Sequence, residues 1–332
     1  MRNFTYDQVL AAAKKAALLR AKYIYTQRDE NIMTQLNILL ATREQNAIAV
    51  KPDSKMGLLV TGDSGAGKST LLDRHLRDHA ALTPDDATHA PLVSLGIQSP
   101  ITLKSLGLQT LRALGYHQQR ENSKANYWAD VRNQLELRRV KVLHFDEAQE
   151  VFEASSESDM RGILEMLKGL MGNPNWPTIV ILSGMPVLER FMERNYQTLR
   201  RFYKAPLLPI SESGGIAALS KQLAAYAQLA NLQLVEDDEL VLRLAHAAND
   251  QLGLAMEMIV DAIQEVFMAD STKLERFNFA DAYERHTGCS PALNIFVSDQ
   301  WTELRSLRVA DRGIPDIPRP KRRSRARGDT QW

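Results

Sequence analysis

Apolar positions along the chain follow two different patterns. Short, nearly continuous apolar runs occur at 56–61, 92–97, 140–145 and 178–182. Between them, at 68–79, 102–114, 124–138, 159–171 and 186–194, apolar residues return at helical spacing. Continuous runs suit strands buried on both faces, and strands alternating with helices predict a parallel sheet covered by helices. Two helical stretches precede this region. One spans 7–25, with Val9, Leu10, Ala13, Ala16 and Ala17 in register; the other spans 28–43, with Ile32, Leu36, Leu39 and Leu40 on one side. Beyond Pro206 and Pro209 only helical runs are legible, at 214–230, 236–249, 253–267 and 278–287. The reading is an N-terminal helical segment (1–50), an α/β domain (51–211), a smaller helical domain (212–311) and a tail (312–332).

Composition changes this picture little. With 332 residues, 44% hydrophobic and 24% charged, the chain is neither a disordered polyelectrolyte nor a collagen-like repeat. The single cysteine, Cys289, excludes an internal disulfide and, with seven scattered histidines, a Cys/His metal framework. The start, Met1 to Asp7, lacks an apolar export segment, and no 18-residue window is uninterruptedly apolar. A cytoplasmic protein with no membrane partner is the expectation. Charge adds one feature. The net charge of +1 hides a stretch, 312–327, in which Arg312, Arg319, Lys321, Arg322, Arg323, Arg325 and Arg327 face only Asp316, on an otherwise mildly acidic chain. Such a flexible basic tail seeks a polyanion or an acidic partner.

The chemistry concentrates after the first apolar run. Gly62, Asp63, Ser64, Gly65, Ala66, Gly67, Lys68 and Ser69 fit G-x-x-x-x-G-K-[ST], with Thr70 next in the helix. Glycines let a loop wrap so tightly that its N–H groups converge on phosphate oxygens, and the following helix start adds its positive dipole end. In this pattern Lys68 reaches the β- and γ-phosphates and the Ser69 hydroxyl ligates Mg2+. Gly62 to Gly65 also looks like the nucleophile segment of chymotrypsin-like proteases. That reading fails because it needs an upstream histidine, and the first in this chain is His75.

The run at 140–145 ends in Asp146-Glu147, an acidic pair at the carboxyl edge where open parallel sheets bind ligands. Asp146 is expected to hold Mg2+ and Glu147 to orient or deprotonate the attacking water. His144 alternates onto the same side and reads as a packed core histidine. Ser183, the one polar residue near the end of the next run, is either a γ-phosphate sensor or a small residue at a strand exit. Arg200 and Arg201 are either a surface charge pair or an arginine finger for a neighbouring subunit's nucleotide. The residues alone favour the surface pair.

Residues 56–210 resemble the core of the AAA+ ATPases that regulate DNA transposition, the TniB, TnsC and MuB group, with TniB the most similar. The resemblance is carried by Lys55–Asp63, Val93–Pro100, Phe145–Gln149, Leu164–Asn173, Ser183-Gly184 and Arg201-Phe202. An arginine-containing helical segment before the core adds to it, so that it covers about 20–270. It implies an AAA+ fold in which a helical lid follows the α/β core, ATP and Mg2+ as cofactors, and slow ATP hydrolysis stimulated by DNA or transposase. Arg200 or Arg201 becomes the finger, Arg201 preferred because it precedes Phe202. The implied partners are double-stranded DNA, further copies of the chain in a ring or helical filament, a transposase or integrase and a target-selection protein. Lys104, Arg120 and Lys124 become the candidate DNA contacts, and binding should be largely independent of sequence.

Two departures from the family pattern point toward ATP as an assembly switch. Met185 follows the strand-exit glycine where a small polar residue is common, and the lid segment Gln251 to Met256 carries no arginine. The competing readings are a replication-initiation or helicase-loading ATPase, which would need a winged-helix reader, and a switch in a protein–protein signalling assembly. A small-molecule kinase fits the Asp-Glu strand end poorly.

Overall fold

A computed structural model describes residues 4–46, 48–49, 53–98, 101–116, 123–154, 156–212 and 214–306. Arg120 and the basic tail lie outside these residues.

Two helices open the chain, α1 (Tyr6–Arg20) and α2 (Gln27–Asn46). A five-stranded region follows: β1 (Gly57–Thr61), α3 (Lys68–Asp78), β2 (Leu92–Gly96), α4 (Leu103–Ala113), α5 (Lys124–Leu137), β3 (Val142–Asp146), α6 (Gln149–Ala154), α7 (Glu157–Met171), β4 (Ile179–Gly184), α8 (Val187–Glu193), α9 (Tyr196–Leu199) and β5 (Phe202–Pro206). The remainder is α10 (Gly215–Leu229), β6 (Gln233–Leu234), α11 (Leu240–Ala247), α12 (Leu252–Met268), β7 (Lys273–Leu274) and α13 (Arg276–Thr287).

The five strands are parallel, in the order β2-β3-β4-β1-β5. β1 and β4 are buried at every position, because helices cover both sheet faces. The register sets Thr61 beside Gly184 and Val60 beside Ser183, so the phosphate loop after β1 emerges next to the exit of β4. The sheet agrees with the expected α/β class and adds β5 as a regular edge strand. Only Phe202 and Ala205 of β5 are buried, so it shows no continuous apolar run, and Pro206 ends it where an edge tolerates proline. The expected all-helical region also contains a strand pair, since β6 and β7 form a parallel ladder. Two residues are too few to leave a periodic trace.

Two hydrophobic cores result. One gathers the sheet, α3 to α8 and Ile32, Leu36, Leu39 and Leu40 of α2. The other gathers α10 to α13 and, from the opposite end of the chain, Ala16 and Leu19 of α1. Thus the two helices of the N-terminal segment divide between the cores. α1 ends at Arg20, short of the expected 25. The Thr5 hydroxyl and the Gln8 side chain form a capping box at its start. At the start of α2, Asp29 accepts the backbone N–H of Thr26 (2.7 Å) and the hydroxyl of Tyr23, which holds 21–26 as a connector.

Candidate functional site

The loop after β1 turns through left-handed backbone at Gly65 (φ 83°) and Gly67 (φ 90°), which glycine adopts without steric cost. Lys68 opens α3 with its side chain buried. Its ammonium donates to the carbonyls of Gly62 (2.8 Å) and Asp63 (3.1 Å), so the loop holds its own cation in place. Ser69 and Thr70 face a cavity of about 880 Å3.

Asp146 ends β3 at this cavity. Its carboxylate accepts the Ser69 hydroxyl (2.9 Å), the Ser183 hydroxyl (2.5 Å) and the Glu147 N–H (3.1 Å). Burial pushes its pKa up, but these donors outweigh burial and hold it below the usual carboxylate range. Buried His144 lies against Ser183 (Nε2, 2.8 Å) and Ser94 of β2 (Nδ1, 2.8 Å). Burial lowers its pKa to about 4, so it is neutral at physiological pH. Ser183 has one proton and gives it to the anionic Asp146, so His144 Nε2 must donate and Nδ1 must accept from Ser94. The result is a polar chain, Ser94–His144–Ser183–Asp146–Ser69, running beneath the loop. His144 is packed, as expected, and also orients Ser183. With its proton on Asp146, Ser183 has none left for a phosphate oxygen. The oxygens of Ser69 and Asp146, already converged and one anionic, form a hard donor set that suits Mg2+.

Glu147 is exposed and, unlike Asp146, does not line the cavity. Its backbone is left-handed (φ 53°), and its carboxylate accepts the carboxamide N–H of Gln149 at 2.5 Å. Gln149 was not legible as a functional residue, because its partners depend on the exit of β4.

The remaining wall comes from the connector between α1 and α2 and from the helical region. Tyr23, Ile24, Thr26 and Arg28 line it on one side, and Tyr226, Leu252, Met256 and Val260 on another. Arg28 donates to the carbonyls of Ala66 (3.4 Å) and Leu208. The arginine-containing segment noted in the sequence was its only signal. Asp29 and His75, both buried, are joined at 2.7 Å behind this wall. α12 meets the loop through backbone: Leu254 N–H donates to Gly65 O at 3.1 Å, and Gly253 packs so closely that a β-carbon there would stand 2.5 Å from that oxygen. α12 carries no arginine.

Arg200 and Arg201 precede β5 at the sheet edge opposite the loop, a strand's length of about 16 Å away, so neither reaches its own chain's site. Arg200 is exposed. Arg201 is half-buried beside Gly172, and its Nε is buried without a hydrogen-bond partner among the described residues. Lys104 on α4 is half-buried, its ammonium 5.9 Å from the Tyr127 ring centroid, rather than a freely solvated charge. Lys124 opens α5, and its side chain lies outside the described residues.

Comparisons with known proteins bear on this arrangement. No curated protein sequence matches the chain. Among solved structures it is similar to the ORC1 protein of Aeropyrum pernix in complex with DNA (TM-score 0.54, 15% identity, covering 82% of this chain and 69% of that one). It is similar also to the ORC2 protein of Aeropyrum pernix in ADPNP and ADP complexes (TM-score 0.56, 14% identity, 83% and 75%). A third is the Drosophila ORC bound to DNA (TM-score 0.53, 12% identity, 88% and 70%). At such identities these likenesses establish the fold, that of the AAA+ ATPases. The family described as bacterial TniB protein matches residues 14–212, which span the connector, the phosphate loop, the acidic pair and the arginines before β5. The chain therefore belongs to the TniB family of AAA+ ATPases, a family associated with transposition.

Proposed function

We propose that this chain is an ATP-driven switch that assembles on duplex DNA and recruits or activates a transposase. The observation that carries the proposal is the join of Ser69 to Asp146 beneath a glycine-rich loop whose lysine is already in place, in a chain of the TniB family. In this reading the loop amides and Lys68 bind the phosphates of ATP. Ser69 and Asp146 hold Mg2+, which supplies charge neutralisation at the phosphates. Ser183 and His144 keep Asp146 oriented and ionised. Glu147 directs the water for hydrolysis. The finger falls to Arg200 rather than Arg201, because Arg200 is exposed for a neighbouring copy and Arg201 is packed against Gly172. DNA is held through its backbone phosphates, as expected for a protein that selects targets through partners. Two of the solved structures of similar fold hold DNA, which supports this part of the reading.

Imaging of the chain with duplex DNA and a slowly hydrolysed ATP analogue tests it, beside ADP and Lys68→Ala controls. Rings or filaments on DNA only with the analogue are expected. Particles that ignore DNA in every nucleotide state would overturn the reading in favour of a protein-directed switch.

A further inference from the structure

The two acidic residues at the end of β3 are both tied to the exit of β4, by different means. Asp146 is tied directly, through the Ser183 hydroxyl. Glu147 is tied through Gln149. That side chain is only 4% exposed, and both ends of its carboxamide are engaged. Nε2 donates to Glu147 Oε2 at 2.5 Å, and Oε1 accepts the backbone N–H of Met185 at 3.0 Å. Gly184 makes room for this bridge, since a β-carbon there would collide with Gln149 Oε1. The Ala148 N–H donates to Ser183 O at 2.8 Å and pins the intervening backbone to the same strand. The bridge also has a consequence for where the carboxylate lies: Asp146 faces the nucleotide cavity and Glu147 does not. A carboxylate that accepts this short amide hydrogen bond has one oxygen occupied and its orientation set.

We propose that Gln149 is a positioning residue that restrains Glu147, tying its carboxylate to the Met185 N–H outside the nucleotide cavity, so that hydrolysis waits for this tie to open. The proposal rests on the hydrolytic role of Glu147 given above and supplies a cause for a slow resting rate. Only the fraction of molecules with Glu147 released is competent, and turnover scales with that fraction. Anything that displaces the Met185 segment would raise it. α8, which begins two residues later, is coupled to α6 through the stacked rings of Phe152 and Phe191, 5.7 Å apart.

The test is steady-state ATP turnover by the whole 332-residue chain, as wild type and as two variants. Gln149→Met keeps the length of the side chain and removes both hydrogen bonds. Gln149→Glu keeps an acceptor for Met185 and places a second carboxylate against Glu147. Both should raise kcat at least about threefold while KM and nucleotide affinity stay within about twofold, since ground-state binding is not involved. Adding Glu147→Gln should abolish the gain. A merely structural role would lower thermal stability and nucleotide affinity without raising kcat. Should the methionine variant fail to fold, the glutamate variant decides. An unchanged or lowered kcat at intact nucleotide affinity would overturn the restraint alone. A wild-type chain that binds ATP without turnover, and that Glu147→Gln leaves unaltered, would overturn the hydrolytic role of Glu147 and the restraint with it.

Discussion

The two hydrophobic cores of this chain are assembled by different rules. The α/β core is built from strands whose neighbours are other strands of the same sheet, and four of the five carry their own apolar run. The helical core is closed by a part brought from far away, since Ala16 and Leu19 of α1 pack among residues of α10 to α13. Arg20 also pairs with Asp261 of α12 at 3.0 Å, and Tyr226 of α10 donates to Lys22 O at 3.1 Å. The connector from α1 to α2 therefore crosses from one core to the other along the nucleotide cavity. The comparison teaches where a nucleotide could act: the cavity is lined by the sheet and its phosphate loop on one side and by a helical body held by α1 on the other.

Four substitutions break or sharpen this contrast. The largest effect is expected from Phe145→Ala in β3. This fully buried ring directly precedes Asp146, and its loss should cost about 3–5 kcal/mol in a denaturant melt and abolish nucleotide binding as well. Leu19→Ala should cost about 2–4 kcal/mol, confined to the helical core. Hydrogen exchange should then speed up in α1 and α12 and leave the sheet protected. Uniform acceleration across the chain would show that the two cores unfold as one.

Asp29→Asn ranks third, at about 1–3 kcal/mol, because it weakens the buried group that joins Tyr23, Thr26 and His75. This residue also sets a pH dependence. Burial pushes the Asp29 pKa up, yet its hydrogen bonds from Thr26, Tyr23 and His75 outweigh burial and leave it below its ordinary value of 3.8. A carboxyl lowered on folding stabilises fully above its unfolded pKa. Its contribution should thus be complete at neutral pH, decline as the pH falls below 3.8 and vanish once the folded form is protonated. Melts across acid pH should show that slope in the wild type and less of it in the variant. The smallest effect is expected from Gly253→Ala, whose new methyl would press on Gly65 O. Calorimetric titration should give nucleotide affinity about tenfold weaker, or about 1.4 kcal/mol, with a modest fall in melting temperature because backbone must shift to admit the methyl.

Much of the site was legible because its constraints are local. The loop from Gly62 to Thr70 needs glycine at left-handed positions, and Asp146 and Glu147 must follow a buried strand. These features occupy consecutive residues. Other parts left no local trace for equally physical reasons. β5 shows no apolar run because it is an edge strand with only Phe202 and Ala205 buried, and β6 and β7 are too short to show a period. Ser183 stood open between a phosphate sensor and a small residue at a strand exit, and its hydrogen bond to Asp146 depends on a neighbouring strand. The sequence cannot tell which of Arg200 and Arg201 is exposed; in the fold it is Arg200.

By itself, then, the sequence determined the class of sheet, the phosphate loop, the acidic pair and the family, since backbone geometry at a few adjacent residues and the apolar runs of four strands suffice for them. Only the tertiary structure decided that α1 joins α12, that Asp29 and His75 meet behind the cavity, that His144 orients Ser183, and that Gln149 bridges Glu147 to Met185. Each of these is a contact between groups on different elements. A hydrogen bond of 2.5 to 3 Å leaves no mark on the spacing of residues along the chain.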